Sequence, residues 1–341
     1  MSGAGLETAL AGYLRAQMPQ AEDLRVDDLT RFHGGASRET YRFVLHWREG
    51  GEARRRTLIL RRDPEASLID TDRRIEFAAY RTFHGTDVPV PEALWLEMGD
   101  GALGSPFFIM SEVPEGAAAS PFNDNPYGEH REKVGEAFWR ILGRVHAREA
   151  EAAPLAQVAD HPDPAQCWRR ELDHWEAELD RDELEPQPIV RAAIRRLRRV
   201  PPPPPERLRI VHGDFRTGNV LTDEAGGITA VLDWEMAHLG DPHEDLAWAM
   251  DPLWAHNDPA RPGGMIETER ALTIWETASG LKVNREALAW WRLFASVKGM
   301  VIWISSAKEF VSGANTDPIL AFSARYCGGR QNQILLDLMG H

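Results

Sequence analysis

Four side chains in one short run have the types and spacing to do chemistry together. They are His212, Asp214, Asn219 and Asp233, within VHGDFRTGNVLTDEAGGITAVLDWEMAHLGD. Two short apolar runs, RIV and ITAVL, frame them and read as core strands. A polar group at the end of such a strand needs a partner, because burying it unpaired costs about 2–7 kcal/mol. A hairpin of the two strands would bring Asn219 and Asp233 to adjacent strand ends. A carboxylate and a carboxamide oxygen are hard ligands that suit Mg²⁺, which takes few protein ligands and keeps its waters. Asp214, close by but not needed for a metal, could accept a proton from a hydroxyl.

The elements that must hold these groups can be read outward from them. Residues 5–18 place Leu6, Leu10, Tyr13 and Leu14 on one helical face. DDLTRFHGGASRETYRFVLHW reads as strand, tight glycine turn, strand, and RRRTLILRRDP as a third strand closed by Pro64. DRRIEFAAYRTFHG is a helix with Ile75, Ala78, Ala79 and Phe83 inward, and VPVPEALWLE and SPFFIMSEV are two more strands. After Glu112 the pattern turns helical. Val134, Phe138, Ile141, Leu142 and Val145 form one stripe, and further helices are read in QCWRRELDHWEAELD, VRAAIRRLRRV, ETERALTIWETASG and REALAWWRLFASVKGMVIWISSAKEFVSG. The proline run 201–205 is a stiff extended spacer. No repeats and no β-α-β alternation are seen. The division is therefore 1–112, a small antiparallel-sheet lobe with one helix, and 113–341, a larger helical lobe interrupted by the two short strands: an α+β fold of two lobes.

Composition bounds the function. The chain has 341 residues, 43% hydrophobic and 27% charged, with a net charge of −14. That balance argues against nucleic acid, which would call for a basic stripe. Cys167 and Cys327 are too few and too isolated for a disulfide framework or a metal cluster. The N-terminal residues do not read as a signal peptide. The most apolar stretch, WWRLFASVKGMVIWISSA, is interrupted by Arg292 and Lys298 and reads as a buried helix, so no membrane partner is expected and the cytoplasm is the expected compartment. The arginines 191, 195, 196, 198 and 199 read as a solvated face, and Trp290, Trp291 and Trp303 as core.

Asp214 and Asn219 have four residues between them, and Asp233 follows; this is the order and spacing of the protein-kinase catalytic loop and metal aspartate. VHGDFRTGNVL followed by AVLDWEMAHLGDPHEDLAW resembles the aminoglycoside phosphotransferase family, the antibiotic-kinase and choline-kinase-like branch of the protein-kinase-like fold. FHGGASRETYRF resembles its nucleotide loop, RRIEFAAYRTFHGTDVPVP its helix and turn, PFFIMSE its hinge and LGRVHA its helical-lobe signature. The resemblance implies Asp214 as the base, Asn219 and Asp233 on Mg²⁺, and His212, Asp241 and Asp245 as supports. The last two also flank a helix start, where capping alone would explain them. It implies that Glu76 pairs with a basic residue on the third strand. It also implies that adenine is held beside Met110 by the carbonyl of Ser111 and the amide of Val113. Gly34, Gly35 and Ser37 would lie over the phosphates. Where the family usually has lysine on the third strand, LILRRDP has Arg61, an LR pattern shared with a branch fused to acyl-CoA dehydrogenase-like domains.

The expected activity is ATP- and Mg²⁺-dependent transfer of the γ-phosphoryl group to a hydroxyl of a small molecule, such as a hydroxyacyl-CoA. The alternative is a catalytically silent nucleotide-binding pseudokinase acting through a partner, for which Arg61 is the main support.

Overall fold

Alternation within the third strand, β3 (Glu52–Arg62), decides where the site's cation points. In this strand Leu58 and Leu60 face one side of the sheet, and Ile59 and Arg61 face the other. The computed structural model describes residues 3–32, 39–63, 72–99, 101–120, 123–256 and 258–341. A five-stranded antiparallel sheet runs in the order β1 (Glu22–Phe32), β2 (Glu39–Glu49), β3 (Glu52–Arg62), β5 (Phe107–Ser111), β4 (Ala93–Glu97). Helix α1 (Gly3–Gln17) covers one face. Its Leu6, Leu10 and Leu14 pack with Phe43, Leu58 and Leu60 in a small separate core.

The other face carries Ile59, Phe108 and Met110 and joins a much larger core. Helix α2 (Arg73–Phe83) lies there, started by the Asp72 side chain, which accepts the N–H of Arg74. Phe77, Ala78, Ala79, Tyr80 and Phe83 are buried in that core, whereas Ile75 is only half-buried. Arg73 is also buried: it pairs with Glu76 and Asp63, and its guanidinium lies 5.4 Å from the Phe108 ring. Nothing in the amphipathic pattern of this helix signals that burial.

The remaining chain is mainly helical: α3 (Arg131–Ala147), α4 (Cys167–Asp182), α5 (Pro188–Arg199), α6 (His243–Ala249), α7 (Thr268–Ser279), α8 (Arg285–Ser312) and α9 (Pro318–Met339). The α3 stripe expected from the sequence is buried throughout. The apolar helix expected around Trp290–Trp303 is α8, long and apolar enough to cross a membrane, but with most of its apolar window packed inside the fold. No helix is expected from the sequence beyond Gly313, yet α9 pairs along α8; the glycine pair 328–329 in its middle weakens the local signal that packing restores.

Two small sheets interrupt these helices. One is β6 (Ala117–Ala118), β8 (Val220–Thr222) and β9 (Ile228–Val231); the other pairs β7 (Arg209–Val211) with β10 (His238–Gly240). The β7 strand leads into the segment holding Asp214, and the β8–β9 hairpin has Asn219 at its entry and Asp233 just past its exit. β6 and β10 have two and three residues, too short for a periodic signal.

Candidate active site

Asp214 is held at both oxygens. Its Oδ1 accepts from Trp248 Nε1 at 2.7 Å and from Arg216 Nε at 3.0 Å; its Oδ2 accepts from Asn219 Nδ2 at 2.6 Å. The same Asn219 amide donates to the Asp214 carbonyl at 2.8 Å. The amide nitrogen is thus committed to Asp214, and the Asn219 oxygen is the atom left for a cation.

The backbone that carries Asp214 is tied down from behind. Asp245, on α6, accepts the N–H of His212 at 2.7 Å and of Gly213 at 2.9 Å, and bonds His146 Nε2 at 3.1 Å. Trp275 donates to His146 Nδ1 at 2.9 Å, so the His146 proton sits on Nε2, facing Asp245. Burial works to raise the Asp245 pKa, but these donors outweigh it and hold the carboxyl below its usual range. Gly213 has φ +84, and a Cβ there would come within 2.4 Å of the Met236 carbonyl, so this position requires glycine. Its carbonyl accepts from the buried ammonium of Lys298, which also lies 3.2 Å from Glu244 and between the rings of Trp175 and Trp248.

His212 links the two loops. Its Nδ1 accepts the Asp214 N–H at 3.1 Å and its Nε2 bonds the Leu232 carbonyl at 3.0 Å. Burial lowers its pKa, which fits a neutral ring with the proton on Nε2. Leu232 in turn donates to the Asn219 carbonyl at 2.8 Å. Asp233 follows in the left-handed conformation, φ 66 and ψ 54, which aspartate tolerates better than most residues. Its N–H donates to the Tyr80 hydroxyl of α2 at 3.1 Å. Asp241 does what its place at a helix start allows: its carboxylate takes the His243 N–H, His243 Nδ1 and Trp291 Nε1. It thus fastens the start of α6 to α8 rather than bracing either loop.

Arg61 meets this assembly from the sheet. Its Nη2 donates to Asp233 Oδ1 at 2.8 Å, and its Nη1 lies 2.9 Å from Glu76 Oε1, an ion pair at an angle off that of a hydrogen bond. Burial opposes the guanidinium's charge, but Glu76 and Asp233 more than offset it, so Arg61 stays charged. Asp233 is likewise pulled below the usual carboxylate range against its burial, chiefly by Arg61.

A cavity of about 760 Å³ lies between the sheet and the helices. Arg61, Asp214, Asn219 and Asp233 line it, and so do Met110, Ser111 and Val113 at the end of β5. Glu112 donates its N–H to Thr57 of β3 at 3.3 Å. The pleat therefore turns the Ser111 carbonyl and the Val113 N–H to the opposite edge. Gly34, Gly35 and Ser37 lie outside the described residues. The helical wall is made by Trp248, Trp254, Ile302, Trp303 and Leu320, with Arg216 stacked 5.0 Å from the Trp254 ring.

A family model, the phosphotransferase enzyme family, matches residues 28–281. The chain belongs to that family. Its fold matches a solved structure from Ralstonia eutropha, provisionally assigned as an aminoglycoside phosphotransferase, with a TM-score of 0.73 and 19% identity over 97% of both chains. An aminoglycoside phosphotransferase solved with AMP-PNP and hygromycin B gives 0.60 at 19% identity, over 98% of this chain and 100% of that one. Among curated relatives, acyl-CoA dehydrogenase family member 10 of Mus musculus is 29% identical over 65% of this chain and 20% of its own. Family member 11 of Gallus gallus is 25% identical over 64% and 27%. The chain thus spans a fifth to a quarter of the length of these two relatives. The kinase-like, mixed α and β fold expected from the sequence is the fold observed.

Trp248, Lys298, Tyr80 and Arg216 were not among the sequence candidates. Each touches the loops from a distant part of the chain, except Arg216, whose place two residues after Asp214 was the one available signal.

Proposed function

We propose that this phosphotransferase moves the γ-phosphoryl group of Mg·ATP to a hydroxyl of a small molecule. The observation that carries the proposal is the convergence of Asp214, Asn219, Asp233 and Arg61 on a single cavity. In this reading residues 1–112 form the nucleotide lobe and 113–341 the helical lobe with the acceptor side. Adenine lies against Met110 with the main chain of Ser111 and Val113, and Arg61 reaches the phosphates. The Asn219 oxygen and the Asp233 carboxylate fit a hard cation by their chemistry. Bound there, Mg²⁺ would neutralise charge on the phosphates. Asp214 orients the acceptor hydroxyl and takes its proton as the oxygen bonds the γ-phosphorus and the bond to the β,γ-bridging oxygen breaks, releasing ADP. His212 and Asp245 keep that carboxylate and the metal loop in register.

The acceptor side favours a compound with an apolar part, because its helical wall is aromatic and aliphatic. A hydroxyacyl-CoA fits this chemistry and the naming of the relatives. A second reading has one observation in its favour: Arg61 occupies Asp233 and stands where a lysine is usual, as a pseudokinase would allow. An ATP-consumption screen over aminoglycosides, macrolides, amino alcohols, sugars and hydroxyacyl thioesters separates the two. Acceptor-dependent ADP release supports the kinase; nucleotide binding with no turnover on any acceptor supports the pseudokinase.

A further inference from the structure

Two guanidiniums line the cavity, and they are committed to different degrees. Arg61 turns Nη2 to Asp233 and Nη1 to Glu76. Arg216 donates from Nε to Asp214 at 3.0 Å, and among the described residues its Nη1 and Nη2 have no hydrogen-bond partner. The outer fork of Arg216 is free, yet it is held in place. Its guanidinium lies over the Trp254 ring, 5.0 Å from the centroid. The backbone also makes room for it: a Cβ at Gly218 would stand 2.1 Å from Nη1. Gly218 lies outside the left-handed region, so this contact, and not a backbone angle, is what a glycine answers there. Burial works to raise the Asp233 pKa, but Arg61 and then Arg216 draw it down, so the Arg216 charge is felt at Asp233 as well as at Asp214.

We propose that Arg216 is a catalytic residue whose free Nη groups bind the oxygens of the phosphoryl group in transit. The assignment rests on the phosphotransferase reading and adds to it the group that meets the transferred charge. A hydroxyl bonded to Asp214 stands about 2.7 Å from the carboxylate, and the phosphorus it attacks about 3–3.5 Å beyond. Arg216 is the cation bonded to that carboxylate. Asp214 takes the proton, the acceptor oxygen bonds the γ-phosphorus, and the bond to the β,γ-bridging oxygen breaks with its electron pair left on ADP. Meanwhile negative charge is spread over the three equatorial oxygens. Donors fixed in a plane beforehand stabilise that charge without reorganising, and Arg216 itself gains and loses no proton. A prop for Asp214 alone would need only Nε; it would leave the free fork and the glycine at 218 without a reason.

Titration calorimetry with Mg²⁺ and ADP, with and without aluminium fluoride, tests this with no acceptor present, because ADP with the fluoride mimics the transferring group. The full chain is compared with Arg216→Met, Arg216→Lys and Gly218→Ala, and thermal melts establish that each variant is folded. Wild type should bind ADP more tightly when the fluoride is present. Arg216→Met should lose about 10²–10³-fold of that gain, the cost of a preorganised donor at a developing charge, with affinity for ADP alone nearly unchanged. Lysine keeps the charge without the fork and should restore little. Gly218→Ala keeps the guanidinium but displaces it, and should lose at least about tenfold of the gain. An equal gain in wild type and Arg216→Met overturns the assignment and leaves the phosphotransferase reading intact. Equal losses for ADP alone and for ADP with the fluoride make Arg216 a ground-state contact and also overturn it. A wild type that binds ADP but gains nothing from the fluoride overturns the phosphotransferase reading, and the assignment falls with it.

Discussion

Replacing Trp248 by phenylalanine removes one N–H and little else. The ring stays apolar, can still face Lys298 and can still pack on Trp254, but Oδ1 of Asp214 loses its 2.7 Å donor and keeps only Arg216. A hydrogen bond to a charged acceptor is worth about 1.5–3 kcal/mol, which sets a ceiling of roughly 10- to 150-fold on the effect. Oδ2 remains fixed by Asn219, so the carboxylate is loosened and not released. The expectation is a fall in kcat of about tenfold, since positioning of the acceptor oxygen dominates a loose phosphoryl-transfer step. If the indole served only to fill space beside Asp214, kcat would not change. Steady-state kinetics with a saturating acceptor from the screen, varying ATP, separate these outcomes. A fall in kcat with KM for ATP nearly unchanged is predicted. A kcat that is unchanged or raised refutes the claim that Trp248 positions Asp214.

Other expectations follow from the same geometry. Asp214→Asn should lower kcat by roughly 10²–10⁴-fold while nucleotide still binds, by rapid kinetics and calorimetry; normal turnover would remove Asp214 from the mechanism. Lys298→Met leaves buried Glu244 with His238 as its remaining cation, so about 3 kcal/mol of stability should be lost, a drop of several degrees in melting temperature; an unchanged melt contradicts this. His238 is buried and loses from desolvation, but Glu171 and Glu244 raise its pKa to about 9. Because the folded value is the higher one, the protonated ring stabilises the fold fully below about pH 6.5, and that contribution fades as pH rises through about 9. Denaturation midpoints of wild type and His238→Gln should therefore differ most at low pH and converge above 9; a gap that widens with pH has the wrong sign.

The cluster around Asp214 was legible because it is local. Asp214, Asn219 and Asp233 lie within twenty residues, and the β8–β9 hairpin that aligns them is built from one short span. Arg61 and Glu76 could be named from the resemblance, and strand alternation explains why Arg61 faces α2. What holds Asp214 in place is not local. Lys298 interrupts an apolar run and looks like an imperfection of α8; folded, it is the cation under Gly213. Trp248 and Trp275 are two of twelve tryptophans, and nothing in sequence marks the two whose N–H groups meet Asp214 and His146. Asp241 could be read either way: the resemblance implied a brace and its place at a helix start a cap, and its carboxylate takes the first N–H of α6 and the indole of Trp291 on α8. The helix α9 escaped notice because its amphipathic pattern is weak and glycines sit at its centre, although it forms part of the cavity wall.

The central claim is that one metal-nucleotide site is built on Asp233 and Asn219 beside Asp214. Titration calorimetry with AMP-PNP, with and without Mg²⁺, on wild type and Asp233→Ala tests it most directly. Binding that strengthens with Mg²⁺ in wild type and loses that dependence in Asp233→Ala is the predicted result. Equal, Mg²⁺-dependent binding by both proteins would contradict it.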